Sequence, residues 1–532
     1  MELPEPTSKQ FSNLMNGIET GSLKIPQFQR DFVWDIKKSA ALIDSVVKGY
    51  PIGTFILWKT KESLRAVKNI GRLDLPEPNK GDYVQFVLDG QQRITSIFAT
   101  LKGETIKRDD NREENFSNMY VGLEAKEDEK IVTTEIDGKN QSQIIKLNTL
   151  LEGDFTILGE YDKKYHDKLK RYKQRIESYS YSVIQVNDAP IDVATEIFTR
   201  INVGGKALST FQIMVAKTYD YGKNFDLVEK FEELTERLEN IDYETISEMT
   251  VLQTISLIIK KECKRKIILS LQKEDVINHW QKVVDSVENA AEYFKNYFRI
   301  PTSSLLPYDT VLVPFAYFFY HNVDKPLGLK QKYLEDFFWR VSLSERYSSA
   351  VESKLSQDVK RIDMILNEEQ PRYDWQVEDS PDYIKNNGLF NTGRSYIKAI
   401  LCIYAYQQPK SFADNSVVNI TNNWLKRANS KNYHHFFPKA FLKKLKEDEN
   451  SINHILNITL VDDYLNKRKI QDRAPSDYME DFKNDNDKIT ETMKTHLIHD
   501  LEEFGIWSDD YQKFLDKRAN ALSAEIKKRI IT

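Results

Sequence analysis

Tyr83–Gly103 reads YVQFVLDGQQRITSIFATLKG. Its first seven residues are a short run rich in β-branched, aromatic and aliphatic side chains, which predicts a strand. From Gln91 the spacing becomes helical, and Asp89-Gly90 supplies the tight exit between the two. A strand therefore runs straight into a helix. The flanking sequence repeats that alternation. TFILWK (Thr54–Lys59) and YSVIQVND (Tyr181–Asp188) read as strands, while KKSAALIDSVVKGY, QQRITSIFATLKG and IDVATEIFTRIN read as helices. IVTTEIDGKNQSQIIKL (Ile131–Leu147) reads as a hairpin turning at Asp137-Gly138. GRLDLPEPNKGD and KRDDNREEN read as exposed loops, the second too charged to bury. Strands interleaved with helices predict an α+β or α/β segment.

After NVGGKALST the texture changes. From about Phe211 to Arg427 the sequence is amphipathic at helical period and poor in glycine, as in FDLVEKFEELTERLENI and EDVINHWQKVVDSVENAAEYFKNYF. A stretch rich in Pro, Asp and Gly, PRYDWQVEDSPDYIKNNG (Pro371–Gly388), interrupts it. The last hundred or so residues return to mixed structure and end in a helix, DDYQKFLDKRANALSAEIKKRI. At 532 residues the chain is too long for one core. Three domains are expected, over 1–210, 211–420 and 421–532. The fold class is a multidomain α+β one, with an all-α middle. Neither internal repeats nor low-complexity tracts are visible.

Composition narrows the function classes. Apolar residues make up 40% and charged residues 30%, ordinary for a globular protein. The most apolar run, TVLVPFAYFFY, is about half the roughly 20 residues a membrane helix needs and contains Pro314, so it reads as a buried helix. No membrane partner is expected. The start, MELPEPTSKQ, shows no signal peptide, and the two separated cysteines, Cys263 and Cys402, fit core filler in a reducing, cytoplasmic setting. A net charge of −5 excludes a global basic field that would gather nucleic acid. A local one exists between Trp424 and Arg473, where eleven Lys and Arg face six Asp and Glu. By charge alone that patch is equally a solvated face.

Within the patch lies KNYHHFFPKAFLKK, two adjacent histidines in a chain that has eight. Further along, ILNITLVDDYLNKRKI (Ile455–Ile470) reads as a strand running into a helix that carries Asn466. A strand, a loop, a second strand and a helix can hold one metal between the first strand and the helix. Phosphodiester hydrolysis needs a deprotonated water and a cation beside the leaving oxygen. Histidine suits the general base because its pKa lies near neutrality. Neighbours in a strand point to opposite faces, so His434 and His435 have separate roles, one ligating and one abstracting a proton. Asn466 with water and phosphate oxygens would complete an open site for Mg²⁺ or Mn²⁺.

These motifs resemble the HNH, or ββα-metal, nuclease motif, in the form found in the C-terminal nuclease domain of GmrSD-type modification-dependent (type IV) restriction enzymes. The resemblance implies a catalytic pair of His435, the general base, and Asn457, which braces the loop carrying that base. It implies metal ligands His434 and Asn466. His434 stands where the commoner form has Asp or Glu, which leaves the metal preference open; His454 is a further candidate ligand.

VLDGQQRITS can be read in two ways. Helix N-terminal amides bind anions, an arginine there can fork a phosphate, and Asp89 could hold Mg²⁺ or orient a water. The plainer alternative, an Asp89-capped helix with a solvated Arg93, prevails from these five residues alone. Together with IPQFQRDFVWD and EIFTRINVGGKALS, however, DGQQR resembles the GmrSD N-terminal domain. That resemblance implies a ParB/sulfiredoxin-like fold, NTPase activity and sensing of modified DNA. It implies a nucleotide site lined by Gln29, Arg30, Asp89, Gln91, Gln92 and Arg93, supported by Arg200, Asn202, Gly204 and Gly205. SERYSSAVESKLSQDVKRI (Ser344–Ile362) also resembles the family. There is no Walker A loop, so any NTP site is not of P-loop type, and GTP, ATP and CTP are not distinguished.

The expectation is a nucleotide-regulated, metal-dependent DNA endonuclease of anti-phage defence, with a homodimer left open. The rivals are a nucleotide-responsive DNA-binding adaptor with a degenerate nuclease motif, and an RNA-directed nuclease. His166, His279, His321, His496 and His499 have no partners at ligand spacing and read as surface or core. Trp34, Trp58, Trp280 and Trp339 read as packing.

Overall fold

The computed structural model describes residues 3–26, 29, 32–61, 64, 66, 69–70, 73–77, 81–107, 112–126, 128–136, 138, 140–153, 155–201, 208–220, 222–422, 425, 433–461 and 470–531. The chain forms two compact units, Met1–Leu227 and Val228–Thr532. The helical segment from Val228 onward and the C-terminal segment both belong to the second, while helix Thr210–Thr218 belongs to the first. Among the described residues, no helix is long and apolar enough to cross a membrane.

The first unit is built on a mixed five-stranded sheet. Its order is Glu5–Gln10, Ser180–Asn187, Phe55–Thr60, Val84–Asp89, Leu23–Lys24. Ser180–Asn187 runs parallel to Phe55–Thr60 and antiparallel to Glu5–Gln10, and Val84–Asp89 runs antiparallel to Phe55–Thr60. Alternation along the central strands feeds two cores, one on each face. Phe55, Leu57, Val87 and Val183 pack with helices Ile36–Lys48, Gln91–Lys102 and His166–Glu177. Trp58, Phe86, Leu88 and Val186 point the other way, toward helix Ile191–Ile201. The central strands are thus covered on both sides, which is why they read as near-continuous apolar runs.

One local expectation fails, and a second holds for exposure but not for the strands at its ends. Val132–Thr133 and Ile144–Lys146 do not pair with each other; each lies antiparallel to Tyr120–Gly122, one on either side. Buried Val121 belongs to the core, so burying that strand outweighs the local turn signal; Asp137 lies outside the described residues. The charged segment expected as a loop begins and ends in a short antiparallel ribbon, Thr105–Lys107 with Glu113–Asn115. Two strands on the surface need no buried charge.

In the second unit the long-period sequence becomes helices, including Glu248–Lys260, Lys273–Asn296, Leu312–His321, Gly328–Leu343, Val351–Leu366 and Ser395–Tyr406. Leu312–Tyr320 is buried throughout, with Pro314 in the first turn where its missing N–H does least harm. Cys263 and Cys402 are free and buried, and burial pushes both thiols up to about 12. Trp58, Trp280 and Trp339 are core residues and Trp34 packs against the core. The SERYSS stretch forms a buried ionic knot. Asp358 accepts from Arg346 Nε and Tyr347 OH at 2.8 Å each and from Arg361 Nη1 at 2.8 Å. Both guanidinium groups lie over the Trp375 ring.

Candidate functional site: the histidine hairpin and the DGQQR turn

Tyr433–His435 and Ile458–Leu460 pair antiparallel, with His434 opposite Thr459 and His435 opposite Ile458. Strand geometry sends the two imidazoles to opposite faces. His434 is buried beside Phe412 and Tyr478, with ring centroids 6.2 and 6.4 Å away. The Thr459 hydroxyl donates to His434 O at 3.4 Å, so its oxygen accepts from His434 Nδ1–H at 3.1 Å. That tautomer leaves Nε2 with its lone pair, and Nε2 is a buried atom without a hydrogen-bond partner. Burial, with His435 and His496 nearby, lowers its pKa to about 3. Such an imidazole stays neutral and fits a metal ligand. Asn466, Asp462 and Asp463 lie outside the described residues, and among the described ones no group of three or more His, Cys, Asp or Glu stands close enough to hold an ion.

His435 is half-buried and donates from Nε2 to Asn453 Oδ1 at 3.1 Å, which leaves Nδ1 to accept a proton. Burial and then the Lys439 charge lower its pKa to about 4, against the smaller opposing effect of Asn453. The ring is therefore in its basic form at neutral pH. Immediately after it the chain is clamped by Asn457, which is fully buried. Its Oδ1 accepts from Phe437 N–H at 2.8 Å, and its Nδ2 donates to Phe437 O at 3.0 Å and Ile452 O at 3.2 Å. Phe436 N–H donates to the Asn457 carbonyl at 2.8 Å.

The turn that carries Asn457 is tied to distant segments. Phe390 N–H donates to Asn453 O and Ile455 N–H to Gly388 O. Tyr404 OH donates to Ile455 O at 3.2 Å, and Arg518 Nη1 to Leu456 O at 2.6 Å. His454 uses both ring nitrogens on backbone, Nδ1 accepting from Leu456 N–H and Nε2 donating to Lys385 O. It acts as a cap. A Cβ at Gly388 would meet the His454 ring at 2.2 Å.

Reading the sequence alone misses three residues here. Thr459 and Asn453 orient the two imidazoles, and their positions follow only once the strand register is known. His496, read as unpartnered, is buried with its ring 5.0 Å from Phe412 and Nε2 on Lys410 O, close enough to bear on His434. No local pattern signals it.

In the first unit, strand Val84–Asp89 enters helix Gln91–Lys102 through Gly90 at φ 94°. The residue at the cap position is Gly90, with no side-chain cap, so the Asp89-capped helix of the plainer expectation does not form. Asp89 pairs instead with Arg93 at 3.1 Å. Arg93 is not solvated. It donates to Ile52 O at 2.7 Å and Thr54 O at 3.0 Å, and lies over the Phe55 ring. A Cβ on Gly53, at φ 88°, would stand 2.4 Å from Arg93 Nη1, so the turn closes on the guanidinium only because Gly is there. Gln29 Nε2 donates to Val87 O, Gln92 Oε1 accepts from Val33 N–H at 2.9 Å, and Gln92 Nε2 donates to Gln91 Oε1 at 2.8 Å. Gln29, Asp89, Gln91, Gln92 and Arg93 thus gather about one turn. Arg30, Asn202, Gly204 and Gly205 lie outside the described residues. Arg200 is exposed and pairs with Glu196.

Residues 11–219 match the family model of the GmrSD restriction endonuclease, N-terminal domain. The GmrSD match spans the turn, both Gly positions and the whole of the central sheet apart from its first strand. An uncharacterized protein of Methanocaldococcus jannaschii is 25% identical over 563 aligned positions, covering 94% of this chain and 93% of that protein. The GmrSD match ends before the second unit. The histidine hairpin therefore rests on its own geometry and on the motif.

Proposed function

We propose that this chain is a metal-dependent DNA endonuclease of the restriction type, acting in defence against modified or foreign DNA. The first unit is its nucleotide-responsive sensor, and the histidine hairpin, with the helix expected after it, is its HNH centre. The observation that carries this reading is the Asn457 clamp: a buried carboxamide fixes the backbone on the C-terminal side of His435, the arrangement a positioned general base requires.

His435 Nδ1 takes a proton from a water whose oxygen bonds to phosphorus, and the phosphorus bond to the leaving sugar oxygen breaks with its electron pair going to that oxygen, which takes a proton from solvent. Asn453 holds the His435 tautomer. His434 Nε2, oriented by Thr459, and Asn466 would hold Mg²⁺ or Mn²⁺. The ion when bound supplies positive charge beside the leaving oxygen. In the sensor, a nucleoside triphosphate belongs near Gln29, Arg30, Asp89, Gln91 and Gln92. Arg93, with two carbonyls and Asp89 already on its guanidinium, sets the shape of the turn.

The test is cleavage of modified and unmodified phage DNA by the full chain, with and without NTP, in Mg²⁺, Mn²⁺ or chelator. His435→Ala is expected to lower the rate by about 10²–10⁴-fold with the fold intact. Cleavage at the wild-type rate in that variant removes the assignment of the base.

A further inference from the structure

Between helices Glu248–Lys260 and Arg265–Leu269 the sequence reads KKECKRK, residues 260–266, five basic side chains and one acidic in seven residues of a chain whose net charge is −5. Every one of the six charged residues is exposed, and only Cys263 turns inward. The backbone beneath them is firmly held. Lys261 closes the first helix in the left-handed conformation, its N–H on Leu257 O at 3.0 Å. Ser256 Oγ donates to Glu262 O at 2.5 Å, Cys263 Sγ lies 3.5 Å from Glu352 O, and Ile267 and Ile268 N–H both return to Lys264 O. The loop is thus an anchored display of charge. Lys261 is neutralised by Asp363 at 3.0 Å, whereas among the described residues Lys260, Lys264 and Lys266 form no ion pair.

The charge continues onto the neighbouring helices together with aromatic rings. Lys261 and Lys282 lie over Tyr317 and Tyr320 at 4.4 and 4.1 Å, and the exposed His321 packs against both tyrosines. Both lysines lower the proton affinity of His321, in addition to burial, and Asp363 opposes them only in part. Cations spaced along a rigid loop suit a repeating row of phosphates better than one small anion.

We propose that the Lys260–Lys266 loop is a DNA-backbone contact surface that holds duplex on the second unit, separately from the histidine hairpin. The choice of duplex DNA as the polyanion rests on the endonuclease reading above. The contacts are to phosphates and carry no sequence preference, so they position the substrate and do not select it.

The test uses full-length protein carrying His435→Ala, so that DNA is bound and not cut. Fluorescence anisotropy of a 30-base-pair duplex is measured across a salt series, with and without the added triple change Lys260→Gln, Lys264→Gln, Lys266→Gln. Removing three ammonium groups that each neutralise one phosphate would lower the slope of log affinity against log salt by roughly 2.7, at about 0.9 per phosphate, with affinity at low salt falling at least tenfold. The substitutions remove exposed, unpaired ammonium groups, so an unchanged thermal transition verifies the fold. An unaltered slope and affinity overturns the surface and leaves the endonuclease reading standing. Selective loss of single-stranded RNA binding, with duplex DNA unaffected, overturns the choice of partner. Absence of duplex binding in the parent protein refutes this surface, and cleavage assays then decide the endonuclease reading separately.

Discussion

Asn457→Ala tests the hairpin most directly. The side chain makes three hydrogen bonds inside a fully buried turn, one accepted from Phe437 N–H and two donated to Phe437 O and Ile452 O. Truncation leaves the Phe437 N–H buried without an acceptor, which costs about 1–3 kcal/mol, and removes two donations worth about 1 kcal/mol each. The sum is about 3–5 kcal/mol. Most of it falls locally, because the clamp joins the end of one strand to the approach of the other. At about 1.4 kcal/mol per decade, the Phe437 amide is expected to exchange with solvent at least 10²-fold faster than in the parent. Hydrogen exchange read at peptide resolution, beside a urea transition monitored for the second unit, gives both numbers. DNA cleavage should fall along with them, since His435 sits two residues from the freed amide. If exchange at Phe437 is unchanged and stability moves by less than about 0.5 kcal/mol, the Asn457 clamp does not brace the base.

Asp358→Ala removes the one carboxylate shared by Arg346, Arg361 and Tyr347 and leaves the nearly inaccessible Arg346 uncompensated, so a loss of about 3–5 kcal/mol is expected by urea unfolding. A loss under 1 kcal/mol would show that Trp375 and solvent suffice to hold the cations. Gly53→Ala should destabilise the first unit by more than Gly49→Ala. Both adopt positive φ, at a cost of about 1–2 kcal/mol, but only at Gly53 does the new Cβ strike Arg93, while Gly49 faces open space. Equal thermal shifts for the two would refute the packing of Arg93 against that turn.

The strands at Thr54–Lys59, Tyr83–Asp89 and Tyr181–Asp188, and the helices Ile36–Lys48, Gln91–Lys102 and Ile191–Ile201, were legible because apolar runs and helical spacing stand out locally between turn residues. The order in which those strands pair was not, since Glu5–Gln10 meets Ser180–Asn187 across most of the unit and no local signal marks it. Ile131–Leu147 failed for the same reason: the competing partner, Tyr120–Gly122, lies upstream. In the second unit, helical period named the elements but not their packing. The paired histidines and Asn457 were visible from motif spacing, whereas Asn453, Thr459 and His496 became relevant only through register and tertiary contact. Arg93 was legible as important and misjudged in its company, because the carbonyls that occupy it come from a turn forty residues earlier.

The ties on Asn453–Leu456 reach back to Lys385–Phe390 and Tyr404 and forward to Arg518. A recombination that exchanged only the last hundred residues for an unrelated segment would remove one partner from each of the backward ties. Lys385, Gly388, Phe390 and Tyr404 would each lose a partner at once. The hairpin is accordingly a poor candidate for transplantation, and lineages carrying it should inherit the preceding helices as one heritable block.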